Sequence, residues 1–240
     1  TVDVPPQNAE DNGLTGMQDS TWISVKWSDD SRHLYFTYAD RGPRHVQLME
    51  ADASSGHATS LFTDSSRTYV ELNLESDGAP NWTPVDGGRH VLWFSERDGW
   101  GHLYLIDEHG VLQNAVTSGA WTVGDLVHVD SAGRWVYFTA RGREAGDPYY
   151  AWLYRVHLDG SGLQLLTPEQ ADHTVRMTPS GQYIVDTYST VQQAPVTVLR
   201  TPDGKVVQTL ETADISELLA SGWRYPVPFR VKSRDGVTDL

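Results

Sequence analysis

The stretch FSERDGWGHLYLIDEHG, residues 94–110, decides the fold of this chain. Its acidic residues, arginine, histidines and tryptophan are types that also occur together in active sites. The pattern instead predicts a strand that ends at Phe94 and Ser95, a polar turn over residues 96–99, and a second strand over residues 102–106. We therefore interpret the stretch as a β-hairpin whose hydrogen-bonded turn joins two strands, in preference to a site of direct substrate contact.

The same plan recurs at an interval near fifty residues. Four turns rich in Asp, Ser, Pro and Gly each precede an apolar strand, at residues 27–33, 83–89, 129–134 and 177–182. A second strand follows each, at residues 46–50, 103–106, 153–158 and 196–199, and a last short strand at residues 60–63, 114–117, 164–167 and 207–210. Roughly four strands in every 40–50 residues is typical of β-propeller blades. A β-sandwich is the alternative, but it gives no reason for one turn to recur at a fixed interval.

The repeat predicts an all-β chain, a partial β-propeller of about four blades with four antiparallel strands each. We expect a single propeller domain over residues 1–240, with blades near residues 20–63, 78–118, 121–168 and 172–212. A helix is predicted over residues 214–220, with Asp214 as N-cap, Glu217 completing a capping box, and Gly222 ending it. Residues 225–232 are predicted to form an extended strand that leaves the repeats.

Composition excludes several classes of function. The chain has 32 acidic and 18 basic residues, a formal charge of -14, and its sequence contains no basic run, so neither nucleic acid nor anionic membrane is an expected partner. No apolar stretch is long enough to span a bilayer. The absence of cysteine excludes disulfides and thiolate chemistry. The nine histidines show no metal-ligand spacing, so we expect no metal and no cofactor. The compartment stays open between periplasmic or secreted and cytoplasmic.

The order of the blades and their amino-acid sequences resemble the β-propeller of the dipeptidyl peptidase IV branch of the prolyl oligopeptidase family. The resemblance spans about residues 20–240. Its most specific run is SERDGW within WFSERDGWGHLYLID, and it also includes PNWT, TSGAWTVGDLVHVD, the segment over residues 136–189, LETADISELLASGW and PFRVKSRDGVTDL. It implies a propeller that precedes an α/β-hydrolase domain carrying a Ser-His-Asp triad, with residues 225–240 as the start of the connection to that domain. Eight blades are usual in that branch, so the chain resembles the second half of a propeller.

The resemblance also limits what this chain can do alone. It contains no GxSxG nucleophile elbow, because the DGSGL segment at residues 159–163 lacks the spacing and lies in a hairpin turn. The paired glutamates that hold a substrate's amino group in this family are not carried over, because no two glutamates are adjacent here. We therefore assign no catalytic residue and expect the chain alone to be inactive. In the SERDGW turn, we expect Trp100 to pack between blades.

Two loops supply candidate residues that face a substrate. Arg67, Tyr69 and Glu71 lie in the long connection between the first two blades, and in the wider family such loops face the hydrolase domain. Tyr149 and Tyr150 lie in a longer insertion of the third blade, where aromatic side chains either line a cleft or clamp the next blade.

Two functions are consistent with the sequence. The first is the non-catalytic propeller of a serine peptidase, which gates and positions peptide substrates for a hydrolase domain in cis that the chain lacks. The parent enzyme is expected to cleave after proline or alanine near a peptide's N-terminus. The alternative is a stand-alone propeller that binds proteins or ligands. Half a propeller also exposes two sheet faces, so we expect a homodimer or a closed four-bladed ring.

Overall fold

The computed structural model describes residues 25–39, 44–72, 81–130 and 135–238. The described residues form four separate antiparallel sheets of four strands each, and within each sheet the strands are hydrogen-bonded in chain order. We call these sheets blades 1 to 4. The architecture confirms the predicted class, an all-β partial β-propeller.

Each blade is a meander of four strands, which are numbered here from the inner to the outer strand. Blade 1 contains β1 (Val25–Trp27), β2 (His33–Ala39), β3 (His45–Asp52) and β4 (Ala58–Ser65). Blade 2 contains β5 (Trp82–Val85), β6 (His90–Ser95), β7 (His102–Asp107) and β8 (Leu112–Ala115). Blade 3 contains β9 (Thr122–Val129), β10 (Val136–Arg141), β11 (Trp152–Val156) and β12 (Gln164–Leu165). Blade 4 contains β13 (Asp172–Met177), β14 (Ile184–Thr190), β15 (Gln193–Arg200) and β16 (Val206–Thr212).

The middle strands of blades 2 and 3 are apolar because both of their faces are covered. In β6, Val91 and Trp93 belong to an apolar cluster shared with blade 1, whereas Leu92 and Phe94 belong to a cluster shared with blade 3. Alternate side chains of a strand point to opposite faces of its sheet. A strand buried between two neighbouring sheets therefore reads as a continuous apolar run.

Three apolar clusters join the blades in sequence. One joins blade 1 to blade 2 around Trp82 and Trp93, a second joins blade 2 to blade 3 around Phe94 and Phe138, and a third joins blade 3 to blade 4 around Ile184. None of the three clusters that the described residues form joins blade 4 back to blade 1. Each blade therefore gains its core from its neighbours in the chain.

Polar side chains align the blades within these contacts. Asn81, which is buried, donates its amide to the carbonyl of Gly124, and its Oδ1 accepts a 3.0 Å hydrogen bond from the N–H of Leu126. One amide side chain thus pairs with two backbone groups of β9, as a neighbouring strand would. The backbone at Gly101 also lies close to the ring of Phe94. A Cβ at this position would lie 2.4 Å from Cζ of Phe94, so only glycine fits without a shift.

The structure corrects the predicted strands at the centre of the propeller. The sequence predicted that residues 83–85 belong to a turn, but they form part of strand β5. The sequence predicted no residue bounds for the inner strand of any blade. Part of a second predicted turn, residues 131–134, lies outside the described residues. Trp100 is 45% exposed rather than packed between blades, whereas Trp93, Phe94 and Tyr104 of the same hairpin are buried.

The C-terminal prediction is correct only in part. Helix α1 runs from Ser216 to Ala220 and thus begins two residues later than predicted. Asp214 accepts a 2.9 Å hydrogen bond from the N–H of Ser216, which forms a local turn, and no side chain caps the helix. The predicted capping box is therefore wrong. The predicted strand over residues 225–232 is also wrong, because that segment has no regular structure beyond a single bridge at Lys232. No helix among the described residues is long and apolar enough to cross a membrane.

Candidate functional site

The blade topology brings one set of loops to the same end of the sheets. In an antiparallel four-stranded blade, the connection between the second and third strands lies at the same end as the connection from the fourth strand to the next blade. We call this end the rim and define it by residues 66–72, 96–101, 142–151 and 166–171. All five residues that the sequence nominated as substrate-facing lie on the rim.

The rim holds a polar cavity of about 340 Å³ between blade 1 and blade 2. Tyr69 and Glu71 line it from the connection that follows β4, and Glu96 and Arg97 line it from the SERDGW turn. The structure thus places two of the nominated residues beside the turn that was interpreted as structural.

A hydrogen-bonded frame holds the SERDGW turn in place. The N–H of Gly99 donates to the carbonyl of Glu96 at 2.9 Å, which closes the turn as predicted. The guanidinium of Arg97 donates to Oγ of Ser95 at 3.1 Å and lies 3.6 Å from the carboxylate of Asp64 in blade 1. These contacts fix the direction in which the turn presents its side chains.

Asp64 forms a polar link between blades 1 and 2. Its carboxylate is buried, and Oδ2 accepts a 3.0 Å hydrogen bond from the indole N–H of Trp93 while Oδ1 accepts one of 2.9 Å from the N–H of Ser65. A buried carboxylate is tolerated only when it is hydrogen-bonded or paired. Asp64 has both kinds of partner, because Arg97 lies beside Oδ2. This link ties the rim cavity to the core beneath it.

Two carboxylates share the rim cavity and influence each other. Burial, followed by the negative charge of Glu71, raises the pKa of Glu96 above its ordinary value. Burial and then the charge of Glu71 also raise the pKa of Tyr69. Like charges in one cavity disfavour the ionised forms. The cavity is therefore suited to a positively charged or hydrogen-bond-donating group.

The other nominated residues lie apart from this cavity. Arg67 is exposed and is not among the residues that line it. Tyr149 is 82% exposed at the tip of the blade 3 insertion, where its N–H donates to Oδ1 of Asp147 at 2.9 Å. Tyr150 is partly buried and packs against the apolar cluster between blades 2 and 3. Of the two tyrosines, Tyr149 is therefore available to solvent, whereas Tyr150 contributes to the packing between blades.

A buried ionic network in blade 4 was not predicted from the sequence. Arg200 is 1% exposed, and its guanidinium donates to Asp186 at 2.9 Å, to Glu169 at 2.7 Å and to the carbonyl of Gly204 at 3.0 Å. Nδ1 of His173 lies 2.9 Å from the second oxygen of Asp186. No local pattern in the sequence marks these residues, because strand pairing and loop placement alone bring them together.

This network contains the one cluster of potential metal ligands found among the described residues. Glu169, His173 and Asp186 place one ligand atom each within 4.8 Å of one another. Both nitrogens of the His173 ring already face oxygen atoms, since Nε2 lies 3.0 Å from the carbonyl of Glu169. The Arg200 guanidinium occupies the side of the carboxylates that a cation would need. The arrangement therefore fits a structural ionic network rather than a metal site.

Two cavities of about 490 Å³ and 420 Å³, which the sequence did not reveal, lie against the inner strands of the blades. We call this region the channel. Lys26 of β1 and residues of β9 line both cavities, β13 also lines the larger, and β5 and the turn that follows it also line the smaller.

Four antiparallel blades with a polar rim and a channel define the chain as a partial β-propeller. Its sequence matches the profile of the dipeptidyl peptidase IV (DPP IV) N-terminal region over residues 7–195. The chain belongs to this family.

Comparisons with individual proteins agree with this assignment. The dipeptidyl peptidase 4 of Trichophyton equinum is 25% identical over 219 residues, which cover 77% of this chain and 27% of that protein. The enzyme of Trichophyton rubrum is 25% identical over 184 residues, 68% of this chain and 23% of that protein. The crystal structure of Porphyromonas gingivalis dipeptidyl peptidase 4 shares the fold, with a TM-score of 0.70 and 23% identity over 82% of this chain and 26% of that chain. The chain thus spans about a quarter of the length of the curated relatives that it matches.

Proposed function

We propose that this chain is the propeller region of a dipeptidyl-peptidase-4-like serine peptidase and that its rim positions peptide substrates for an α/β-hydrolase domain of the same polypeptide. The observation that carries the proposal is the family match over residues 7–195. The named function of the relatives, dipeptidyl peptidase 4, supplies the reaction class. In this proposal the hydrolase domain performs the chemistry, through an acyl-enzyme formed by its Ser-His-Asp triad.

The rim cavity supports a role in holding the substrate. Glu71 and Glu96 supply carboxylates to a polar cavity, and Tyr69 lines the same cavity. A peptide's amino group or basic side chain would relieve the repulsion between the two carboxylates. Tyr149, which is exposed at the tip of its insertion, is available for contact with a longer peptide. Arg67 and Tyr150 are proposed to shape the rim around these groups.

The propeller is further proposed to act as a filter. In this proposal the channel along the inner strands admits extended or short peptides and excludes folded protein. The substrates would then be short peptides cleaved after proline or alanine near the N-terminus. This gating role would explain why a peptidase uses a propeller that carries no catalytic residue of its own.

The first test is the intact mass of the native protein, with peptides mapped beyond Leu240. A product that continues into a segment containing GxSxG supports the proposal. A native C-terminus close to Leu240 would refute it, because no triad would then belong to the polypeptide. The isolated 240-residue chain is expected to show no hydrolysis of a Xaa-Pro chromogenic substrate.

The second test examines the rim in the parent enzyme. We expect Glu71→Gln to raise KM for a dipeptide substrate with little change in kcat, because the variant removes binding charge without touching the triad. Glu108→Gln is the matched control, since Glu108 is an exposed glutamate in the β7–β8 turn at the opposite end of blade 2. Equal KM values for the two variants would contradict a substrate role for the rim cavity.

A further inference from the structure

Lys26 lies at a central position in the channel. Its side chain lines both channel cavities, and Nζ donates a 2.5 Å hydrogen bond to the backbone carbonyl of Trp82. The ammonium also lies 5.2 Å from the centroid of the Trp82 ring. Among the described residues, Lys26 forms no ion pair with a carboxylate. A protonated lysine has three N–H donors, so two of them remain available to a group in the cavities.

The side chains that line the larger cavity carry a net positive charge, although the protein as a whole is acidic. Its charged lining consists of Lys26, Arg141 and Arg176 against Asp125 and Asp172, whereas the whole chain has a formal charge of -14. His173 also lines the cavity, but its ring is held by Asp186. A concave site with an excess of one charge concentrates ligands of the opposite charge. The larger cavity therefore favours an anion.

The smaller cavity restricts the charge that this anion can carry. Its lining includes Asp29, Asp86 and Asp130 together with His128, so three acidic side chains line the smaller cavity that Lys26 also borders. A dianion such as a phosphate monoester would be repelled by them more strongly than a monoanion would. The combination of one uncompensated ammonium and nearby acidic residues is thus best matched by a single carboxylate.

Burial of Lys26 gives this site a second property. Burial lowers the pKa of Lys26 to about 8, because no carboxylate compensates its charge. An anionic ligand at Nζ would restore the charged form and raise this pKa. Ligand binding and protonation of Lys26 are therefore linked, which gives the site a measurable signature.

We propose that Lys26 anchors a carboxylate-binding site in the channel. The ligand class is a small monocarboxylate, either an organic acid or the free C-terminal carboxylate of a short peptide. A cavity of about 490 Å³ is within the range of small-ligand sites. Arg176, which is exposed on β13 and has no ion-pair partner among the described residues, supplies a second cation on the same cavity. This site is additional to the function proposed above and does not depend on it.

The test uses the complete 240-residue chain and its three lysines, Lys26, Lys205 and Lys232. Trace reductive methylation at pH 7, read by mass spectrometry, reports the neutral amine of each lysine. We expect acetate or N-acetyl-dialanine to slow labelling of Lys26 about tenfold, since a pKa rise of one unit lowers the unprotonated fraction by that factor. Labelling of the exposed Lys205 and Lys232 should stay unchanged. The C-terminal amide of the same peptide should give no protection.

Each arm of this experiment has a decisive outcome. Protection by the peptide acid but not by acetate identifies a peptide C-terminus as the ligand, and equal protection by both identifies a free carboxylate. Equal labelling of Lys26 with and without the carboxylates at millimolar concentration would overturn the proposal, as would stronger protection by inorganic phosphate. In calorimetry Lys26→Met should abolish binding of the better carboxylate, and Lys205→Met should not. If Lys26→Met does not fold, the labelling of the wild-type chain still tests whether a carboxylate binds at Lys26.

Discussion

Replacing Arg200 with methionine is the sharpest perturbation of the fold that the structure suggests. The guanidinium is almost wholly buried and donates to Asp186, Glu169 and the carbonyl of Gly204. Methionine keeps much of the side-chain volume but removes every donor. The carboxylate of Asp186, which is fully buried, then keeps only His173 as a side-chain partner. An uncompensated buried charge costs about 3–5 kcal/mol when its partner is removed.

This cost predicts a large shift in chemical denaturation. With an m-value of about 3 kcal/mol/M, the urea midpoint of Arg200→Met should fall by about 1–2 M. Arg89→Met is the control, because Arg89 is an exposed residue whose guanidinium lies 3.8 Å from Asp86. A surface pair of this kind contributes at most about 1 kcal/mol. The same chemical change at the two positions therefore separates a buried ionic network from a surface pair.

A double variant tests the cause of the loss. Adding Asp186→Asn to Arg200→Met removes the stranded negative charge, so the pair should be less destabilised than the sum of the single variants, by about 1–3 kcal/mol. Two results would refute the reasoning. One is a midpoint for Arg200→Met equal to that of Arg89→Met, and the other is strict additivity in the double variant.

Three further predictions concern blades 1 and 2. Asp64→Ala leaves a buried indole N–H without an acceptor and should cost about 1–3 kcal/mol in urea denaturation, whereas Asp64→Asn keeps an acceptor and should cost less. Gly101→Ala places a Cβ 2.4 Å from the ring of Phe94 and should cost about 1–3 kcal/mol, and adding Phe94→Leu should restore part of this loss in the same assay. Glu71→Gln should lower the pKa of Glu96 toward its ordinary value in an NMR titration, because one of the two causes of the raised pKa is the charge of Glu71. An unchanged Glu96 titration would show that burial alone sets its pKa.

The parts of the fold that sequence predicted are those with a local physical signal. The middle strand β6 was placed correctly because Val91, Leu92, Trp93 and Phe94 are all apolar, which a strand covered on both faces requires. The inner strands were not placed by residue. Strand β13 alternates exposed and covered side chains, so it has no continuous apolar run. Strand β5 contains Pro84, and proline in a sequence favours the prediction of a turn.

The candidate site was predictable only where it is local. The turn at SERDGW is fixed by neighbouring residues, and Gly99 adopts a positive φ of 95° there. By contrast, Glu71 meets Glu96 only because blade 1 packs on blade 2. Lys26 reads as an ordinary strand residue in the sequence, and its burial depends on Trp82 of the next blade. Charges brought together by tertiary packing leave no trace in residue spacing.

The packing of each blade on only its chain neighbours also has a consequence for how the molecule opens. Three separate apolar clusters join four blades in series, so stability is approximated by a sum of blade and interface terms, as in a one-dimensional array. Such an array frays from its ends. Amide exchange should be slowest in β6, β7, β10 and β11, which are covered on both sides, and fastest in β16, whose residues are all exposed. Cooperative unfolding of this chain is thus a property of its interfaces rather than of any one sheet.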